Sequence, residues 1–130
     1  MFSIIIPTYN NLAYLKLCLH SINKNSEHNH EILVHVNEGN DGTLKYLDNL
    51  KIRYTYSKEN AGVCYAFNEA AKLATKEYLV LGHDDMYFCP NWDTEFKYAL
   101  NKIGHKNFFL SGTMVQHFNG LINLDCGSNP

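Results

Sequence analysis

The chain is predicted to fold as an α/β domain built on a doubly wound, mostly parallel sheet, and three observations carry that prediction. Short runs of strand length, apolar or rich in β-branched and aromatic residues, recur at residues 2 to 7, 31 to 36, 52 to 57 and 77 to 82. Between them lie segments whose apolar residues step by three and four, the period of one helical face. The loops after three of these runs carry Thr8, Tyr9 and Asn10, then Glu38 and Asp41, then His83, Asp84 and Asp85. In a parallel sheet the carboxyl ends of the strands share one edge, where ligands sit, so all three loops should open together.

Taken in order, "FSIIIP" (2 to 7) reads as a buried strand that Pro7 ends, since proline has no N–H for a ladder. Leu12, Leu15, Leu19 and Ile22 then place one apolar face on a helix from about 11 to 24, with Asn10 or Asn11 as its cap. "EILVHV" (31 to 36) is a second strand, and "NEGNDGT" after it is a loop by its glycines and short polar side chains. "TLKYLDNL" suits a short helix and "IRYTYS" (52 to 57) a third strand. Val63, Ala66, Phe67, Ala70 and Leu73 trace a helix from Asn60 to about Ala74, entered at Asn60 or Gly62. "EYLVLG" (77 to 82) is the fourth strand. Trp92, Phe96, Ala99, Leu100 and Ile103 mark a helix after Pro90, and "NFFLSGTMV" (107 to 115) reads as a fifth strand. Strands alternating with helices favour parallel neighbours, because each parallel pair needs a crossover.

Composition narrows the function. At 130 residues the chain suits a single domain, small for an enzyme that must hold both a nucleotide and an acceptor. With 45% hydrophobic and 18% charged residues it reads as globular, and no window approaches the roughly 20 apolar residues of a membrane span. "MFSIIIPTYN" lacks the basic start and small-residue cleavage site of a secretory signal, so a cytoplasmic location is expected, including the inner face of a membrane. Formal net charge is -2 with Lys and Arg scattered, which gives no footprint for nucleic acid. Cys18, Cys64, Cys89 and Cys126 lack paired zinc spacing and fit reduced thiols.

The chemistry concentrates in "EYLVLGHDDMYFCPNW", where a strand-like run ends on His83, Asp84 and Asp85. Adjacent like charges repel, so the pair either faces water on a turn before Pro90 or meets a cation. A dinucleotide fold would want a Gly-rich turn after the first strand, and a P-loop a Gly-rich run ending in Lys and Ser or Thr; "PTYNNLAY" offers neither. Oxygen donors suit Mg2+ or Mn2+, which commonly complete their shell with substrate phosphates, and a diphosphate-bearing substrate follows.

"SIIIPTYN", "VNEGNDGT", "NAGVCYAFNEAAKLATKEYLVLGHDD" and Pro90, in this order and at these separations, resemble the nucleotide-sugar-binding half of family 2 glycosyltransferases with the GT-A fold, over about residues 2 to 115. The resemblance implies a base pocket at Pro7, Thr8 and Tyr9, and a base-reading acid at Glu38, where aspartate is more usual. It maps the family's Asn-x-Gly segment onto Asn60 and Gly62, and the following Arg-Asn pair onto Phe67 and Asn68, so one phosphate-contacting arginine is lost. His83, Asp84 and Asp85 fall on the Asp-x-Asp motif: Asp85 as ligand of a divalent cation bridging the phosphates, Asp84 near ribose or water, His83 replacing the first acid. The implied reaction is inverting transfer of a sugar from a nucleoside diphosphate, UDP by expectation, to an acceptor hydroxyl on a carbohydrate or lipid-linked glycan.

The family's catalytic base lies well downstream of the metal motif, which implies an acceptor-binding part beyond Pro130. Asp125, the only acid after Glu95, sits in "NLDCGSNP", which reads as a turn-like tail poorly placed for general-base work. The alternative implied by the missing base, by His83 and by Phe67 is a nucleotide-sugar-binding module that does not catalyse. A third reading is a protein interaction surface with no nucleotide. Beside these stand plainer roles: Asp41 as a turn former, His28 and His30 in a solvated loop rather than a metal clip, His35 as a sheet residue, and Trp92 and Tyr98 as helix packing rather than a sugar platform.

Overall fold

Seven elements run in order before the last helix: β1 (Phe2–Tyr9), α1 (Leu12–Asn25), β2 (Glu31–Asn37), α2 (Thr43–Leu50), β3 (Arg53–Ser57), α3 (Val63–Ala71) and β4 (Tyr78–Leu81). The computed structural model describes residues 1–112, together with the backbone of 114–118 and 121–125. Contacts divide the chain into two units, Met1–Thr94 and Glu95–Pro130.

In the first unit the strand order is β3-β2-β1-β4 and every pairing is parallel. β1 and β2 are the inner strands, and Phe2, Ile4, Ile5, Ile6, Leu33, Val34 and Val36 are all buried. Burial on both faces is why these segments read as continuous apolar runs rather than alternating ones. Leu15, Cys18, Leu19 and Ile22 of α1, Leu47 of α2, and Ala66 and Ala70 of α3 complete the core. β4 lies at the edge of the sheet and alternates, with Leu79 and Leu81 exposed.

Two expectations about the start of the chain are corrected. Pro7 does not end β1, which runs on to Tyr9 in register with β2 through the pairs Pro7↔His35, Thr8↔Val36 and Tyr9↔Asn37. The Ile5 carbonyl accepts from Gly82 N at 2.9 Å on the β4 side, and Pro7, two residues on, aims its nitrogen toward that same side. β4 has stopped at Leu81 opposite Ile5, so the missing N–H costs no ladder bond. Asn11 holds the N-cap position of α1 without a side-chain cap bond; instead Leu12 N donates to Asp41 Oδ2 at 2.7 Å. Asp41 Oδ1 also accepts from Thr43 N and Thr43 Oγ1, at 3.2 and 2.6 Å, so one carboxylate serves the starts of two helices. Burial pushes its pKa up, but the bonds from Thr43 and Leu12 outweigh this and hold it below the ordinary value.

α3 is shorter than its apolar period suggested. It starts after Gly62, whose φ of 85° suits glycine, and the Asn60 side chain accepts from Gly62 N at 3.0 Å. Past Ala71 the chain continues in turns, with Leu73 N bonded to Ala70 O.

In the loop before β2, Glu27 and Asn29 are exposed as expected, but the two histidines turn toward Asp93. The His30 ring is buried, stacked on Phe2 at 5.4 Å, and donates through Nε2 to Asp93 Oδ2 at 3.0 Å. Phe2 N donates to His30 Nδ1 at 3.3 Å, which fixes the neutral Nε2–H form, and burial lowers the imidazole pKa in agreement. His28 Nδ1 approaches the same oxygen at 3.1 Å, and the Glu27 and His28 backbone N–H groups donate to Asp93 as well. Burial would raise the Asp93 pKa, yet these bonds hold it at about 2. Trp92 packs on Phe2, His30 and Phe88 as the helix-packing reading expects.

α4 (Trp92–Ile103) leads into the second unit, where β5 (Met114–Phe118) pairs antiparallel with β6 (Leu121–Asp125). The expected strand over 107–115 is therefore displaced: residues 107–112 hold no strand, and Ser111 and Gly112 break the apolar run before Met114. Asp125 is likewise the end of a paired strand, opposite Met114, rather than part of a tail. Its side chain and Cys126 lie outside the described residues.

Candidate functional site

Because all four strands of the first unit are parallel, their carboxyl ends share one edge. The chain leaves β1 for β2 on one side and returns at β4 on the other, which makes the ends of β1 and β4 a topological switch point, where crevices form in such sheets. A cavity of about 370 Å³ opens there, lined by Pro7, Thr8, Tyr9, Asn10, Asn11, Asn37, Asn60, Gly62, Val63, His83 and Asp84. Of the ten candidate binding residues, Pro7, Thr8, Tyr9, Asn60, Gly62, His83 and Asp84 are thus brought together.

The other three are placed differently. Asp85 follows the lining residue Asp84 and is exposed. Glu38 does not line the cavity: its Oε2 accepts from Asn10 Nδ2 at 3.1 Å and Asn40 Nδ2 at 3.3 Å. Asn68 is exposed on α3 and does not line the cavity.

Each wall has a physical origin. Thr8 is buried and donates through Oγ1 to Asp84 Oδ2 at 2.6 Å, tying the end of β1 to the loop after β4. Cys18 of α1 holds that loop from behind, its thiol 3.4 Å from the His83 carbonyl oxygen. Burial, then the charges of Asp84 and Asp85, push this thiol up to about 12, so it stays a neutral donor. Phe67 meets the His83 ring at 5.6 Å and 88°, an edge contact between the two positions where the resemblance led one to expect an arginine and an acid. Asn10 and Glu38 both have left-handed backbone, φ 45° and 61°, and clasp each other at the rim. Strained residues meeting at a cavity are a pointer to function. Gly39 is required in the turn beyond: at φ 71° a Cβ would lie 2.8 Å from Val36 Cγ1.

Asn37, Asn10, Asn11 and Val63 line the cavity and were not among the sequence candidates. For Asn37 a signal existed, a polar residue closing an apolar strand. His35 is buried under it, with Nδ1 2.7 Å from Thr55 Oγ1 and Nε2 3.2 Å from Ser57 Oγ, and burial lowers its pKa.

A divalent cation suits the donor set. Asp84 and Asp85 are hard oxygen donors, one Asp84 oxygen is engaged only by a neutral hydroxyl, and among the described residues neither aspartate joins an ion pair. No group of three or more His, Cys, Asp or Glu side chains among the described residues could hold an ion unaided.

The family model described as glycosyl transferase family 2 matches residues 3–123. An uncharacterised glycosyltransferase of Rickettsia conorii is 39% identical over 118 residues, 85% of this chain and 19% of that protein. Staphylococcus aureus TarS 1-349 in complex with UDP-GlcNAc superposes with a TM-score of 0.68 at 23% identity, over 78% of this chain and 31% of that one. A mannosyltransferase of Pyrobaculum calidifontis in complex with GDP-Man and Mn2+ gives 0.63 at 24% identity, over 72% and 30%. The chain thus spans about a fifth of the length of that curated relative, and the fold is the GT-A arrangement. No helix among the described residues is long and apolar enough to cross a membrane. The match over residues 3–123 is enough to place the chain in glycosyl transferase family 2.

Proposed function

We propose that the chain is the donor-binding part of an inverting glycosyltransferase that takes a nucleoside-diphosphate sugar, UDP-linked, with a divalent cation. The observation that carries this reading is the Thr8 to Asp84 bond, which sets Asp84 in the wall of the cavity with exposed Asp85 beside it. Asp85, with Asp84 beside it, would hold the ion. When bound, such a cation neutralises charge gathering on a departing diphosphate. The chain's own residues do the rest: Pro7, Thr8, Tyr9, Asn60 and Gly62 border the space for the nucleoside, and His83 borders the ribose or phosphate side. That TarS was crystallised with UDP-GlcNAc and the mannosyltransferase with GDP-Man and Mn2+ supports a nucleotide-sugar donor and a divalent ion. The acceptor, a carbohydrate or lipid-linked glycan hydroxyl, and the base that deprotonates it belong to the whole protein.

A second reading, a binding module without transfer, is favoured by the Phe67 to His83 contact, which puts an aromatic pair where a phosphate-binding arginine and an acid are expected. Both readings predict that UDP with Mn2+ raises the melting temperature and that EDTA removes the rise, since a ligand binding only the folded state stabilises it by mass action. Absence of any metal-dependent rise would sink both. Release of UDP from a UDP-sugar, in the presence of an acceptor and the full-length protein, separates transfer from binding alone.

A further inference from the structure

The orientation of the Asn37 amide is dictated by its neighbours. Ala61 N, 3.0 Å away, is a backbone donor and can only face an oxygen, which places Oδ1 there. Ser57 Oγ lies 2.9 Å from the same oxygen and 2.9 Å from the Glu59 carbonyl, both acceptors, so its proton goes to one of them. The hydroxyl then accepts from His35 Nε2–H at 3.2 Å, and His35 Nδ1 accepts from Thr55 Oγ1 at 2.7 Å. With Oδ1 committed on the protein side, Nδ2 is the remaining face of the amide. Asn37 lines the cavity, and among the described residues no side-chain nitrogen or oxygen is both fully buried and without a partner. The amide also interacts with the buried His35 ring beneath it, and among the described residues Nδ2 meets no acceptor in hydrogen-bond geometry, which leaves it an open donor at the cavity wall.

Its position along the cavity identifies what it meets. The sheet order puts Asn37, at the end of β2, two strands from Asp84, after β4, with Thr8 between them. Two strand spacings are about 10 Å, comparable to the reach from a diphosphate to the far edge of its nucleobase. Glu38, the acid that the resemblance nominates for the base, has one oxygen occupied by Asn10 and Asn40 and does not line the cavity.

We infer that Asn37 reads the nucleobase, donating through Nδ2 to a carbonyl oxygen of a uracil-type ring. This rests on the reading that the cavity takes a nucleoside diphosphate. Asn37 is then a specificity-determining residue, and the His35, Thr55 and Ser57 chain positions it.

The test is calorimetry of UDP with Mn2+ on the wild type and on Asn37→Asp, which keeps an oxygen for Ala61 N and Ser57 Oγ, removes the donor and adds a negative charge, so thio-substituted UDP on the wild type separates the lost donor from the added charge. The expected result is binding about ten- to a hundredfold weaker in N37D, as for leaving a buried polar partner unmet. Binding within twofold of wild type, with an unchanged melting temperature, would overturn the inference and leave donor binding intact. No binding by the wild type would overturn both. Should N37D fold poorly, the wild type decides alone: 2-thio-UDP and 4-thio-UDP replace each carbonyl in turn with sulfur, a weaker acceptor. One of them should bind severalfold more weakly than UDP, and two unchanged affinities would refute the base contact.

Discussion

Asp85 and Asp93 lie eight residues apart in the sequence and sit in opposite chemical conditions. Asp93 is fully buried and accepts from the Glu27 and His28 backbone and from both histidine rings, which hold its carboxyl at about 2. Asp85 is exposed, joins no ion pair among the described residues, and follows a residue that lines the cavity. The difference teaches how to tell a carboxylate committed to the fold from one open to a ligand. A carboxylate whose lone pairs are spent on the protein holds the fold, and one left with its lone pairs free at a cleft can bind.

The comparison breaks most visibly through ligand binding. Asp85→Ala should weaken Mn2+-supported UDP binding about a hundredfold or more by calorimetry, yet leave the melting temperature almost unchanged, since exposed side chains without partners contribute little to stability. Equal losses in both would erase the distinction. The mirror experiment is Asp93→Asn, expected to cost about 2 kcal/mol in chemical denaturation, because hydrogen bonds to a buried charge are lost while the shape is kept. Its UDP affinity should match the wild type once folded.

Acid sharpens the same contrast. The folded Asp93 pKa lies below the ordinary 3.8, so its stabilisation is complete above that value and is lost as pH falls toward about 2. His30 and His35 act at milder acidity: both have lowered folded pKa values, so the unfolded chain takes up protons first below about 6.5 and stability declines from there. Denaturant midpoints should therefore fall between pH 7 and 5, and His30→Gln should flatten that slope. The smallest expected effect is chemical. Cys18, buried and held near 12, should resist alkylation in the native state, whereas exposed Cys64 and Cys89 react.

Much of the fold was legible from the sequence because the inner strands are buried on both faces and so announce themselves as apolar runs. The helical stripes of α1 and α3 were equally plain, and so was the convergence of three loops on one edge. Pro7 misled because its tolerance depends on where β4 stops, a fact of register between segments more than seventy residues apart in the chain. Residues 107–112 misled because an apolar run alone does not say which partner it pairs with. In the site, Thr8 and Asp84 were named but their bond could not be read, since it closes across the sheet. Asn37 was marked only by closing an apolar strand, and Asp93 escaped notice because nothing local distinguishes a carboxylate whose partners come from a distant loop.

The central claim is that Asp85 holds a divalent ion against the two phosphates of a nucleotide at this edge. Electron paramagnetic resonance of free Mn2+ tests it most directly, at concentrations where neither protein nor UDP alone depletes the signal. The account predicts that wild type and UDP together remove it and that Asp85→Ala restores it. A free-ion signal in the presence of UDP that is the same with and without the wild-type protein would contradict the account.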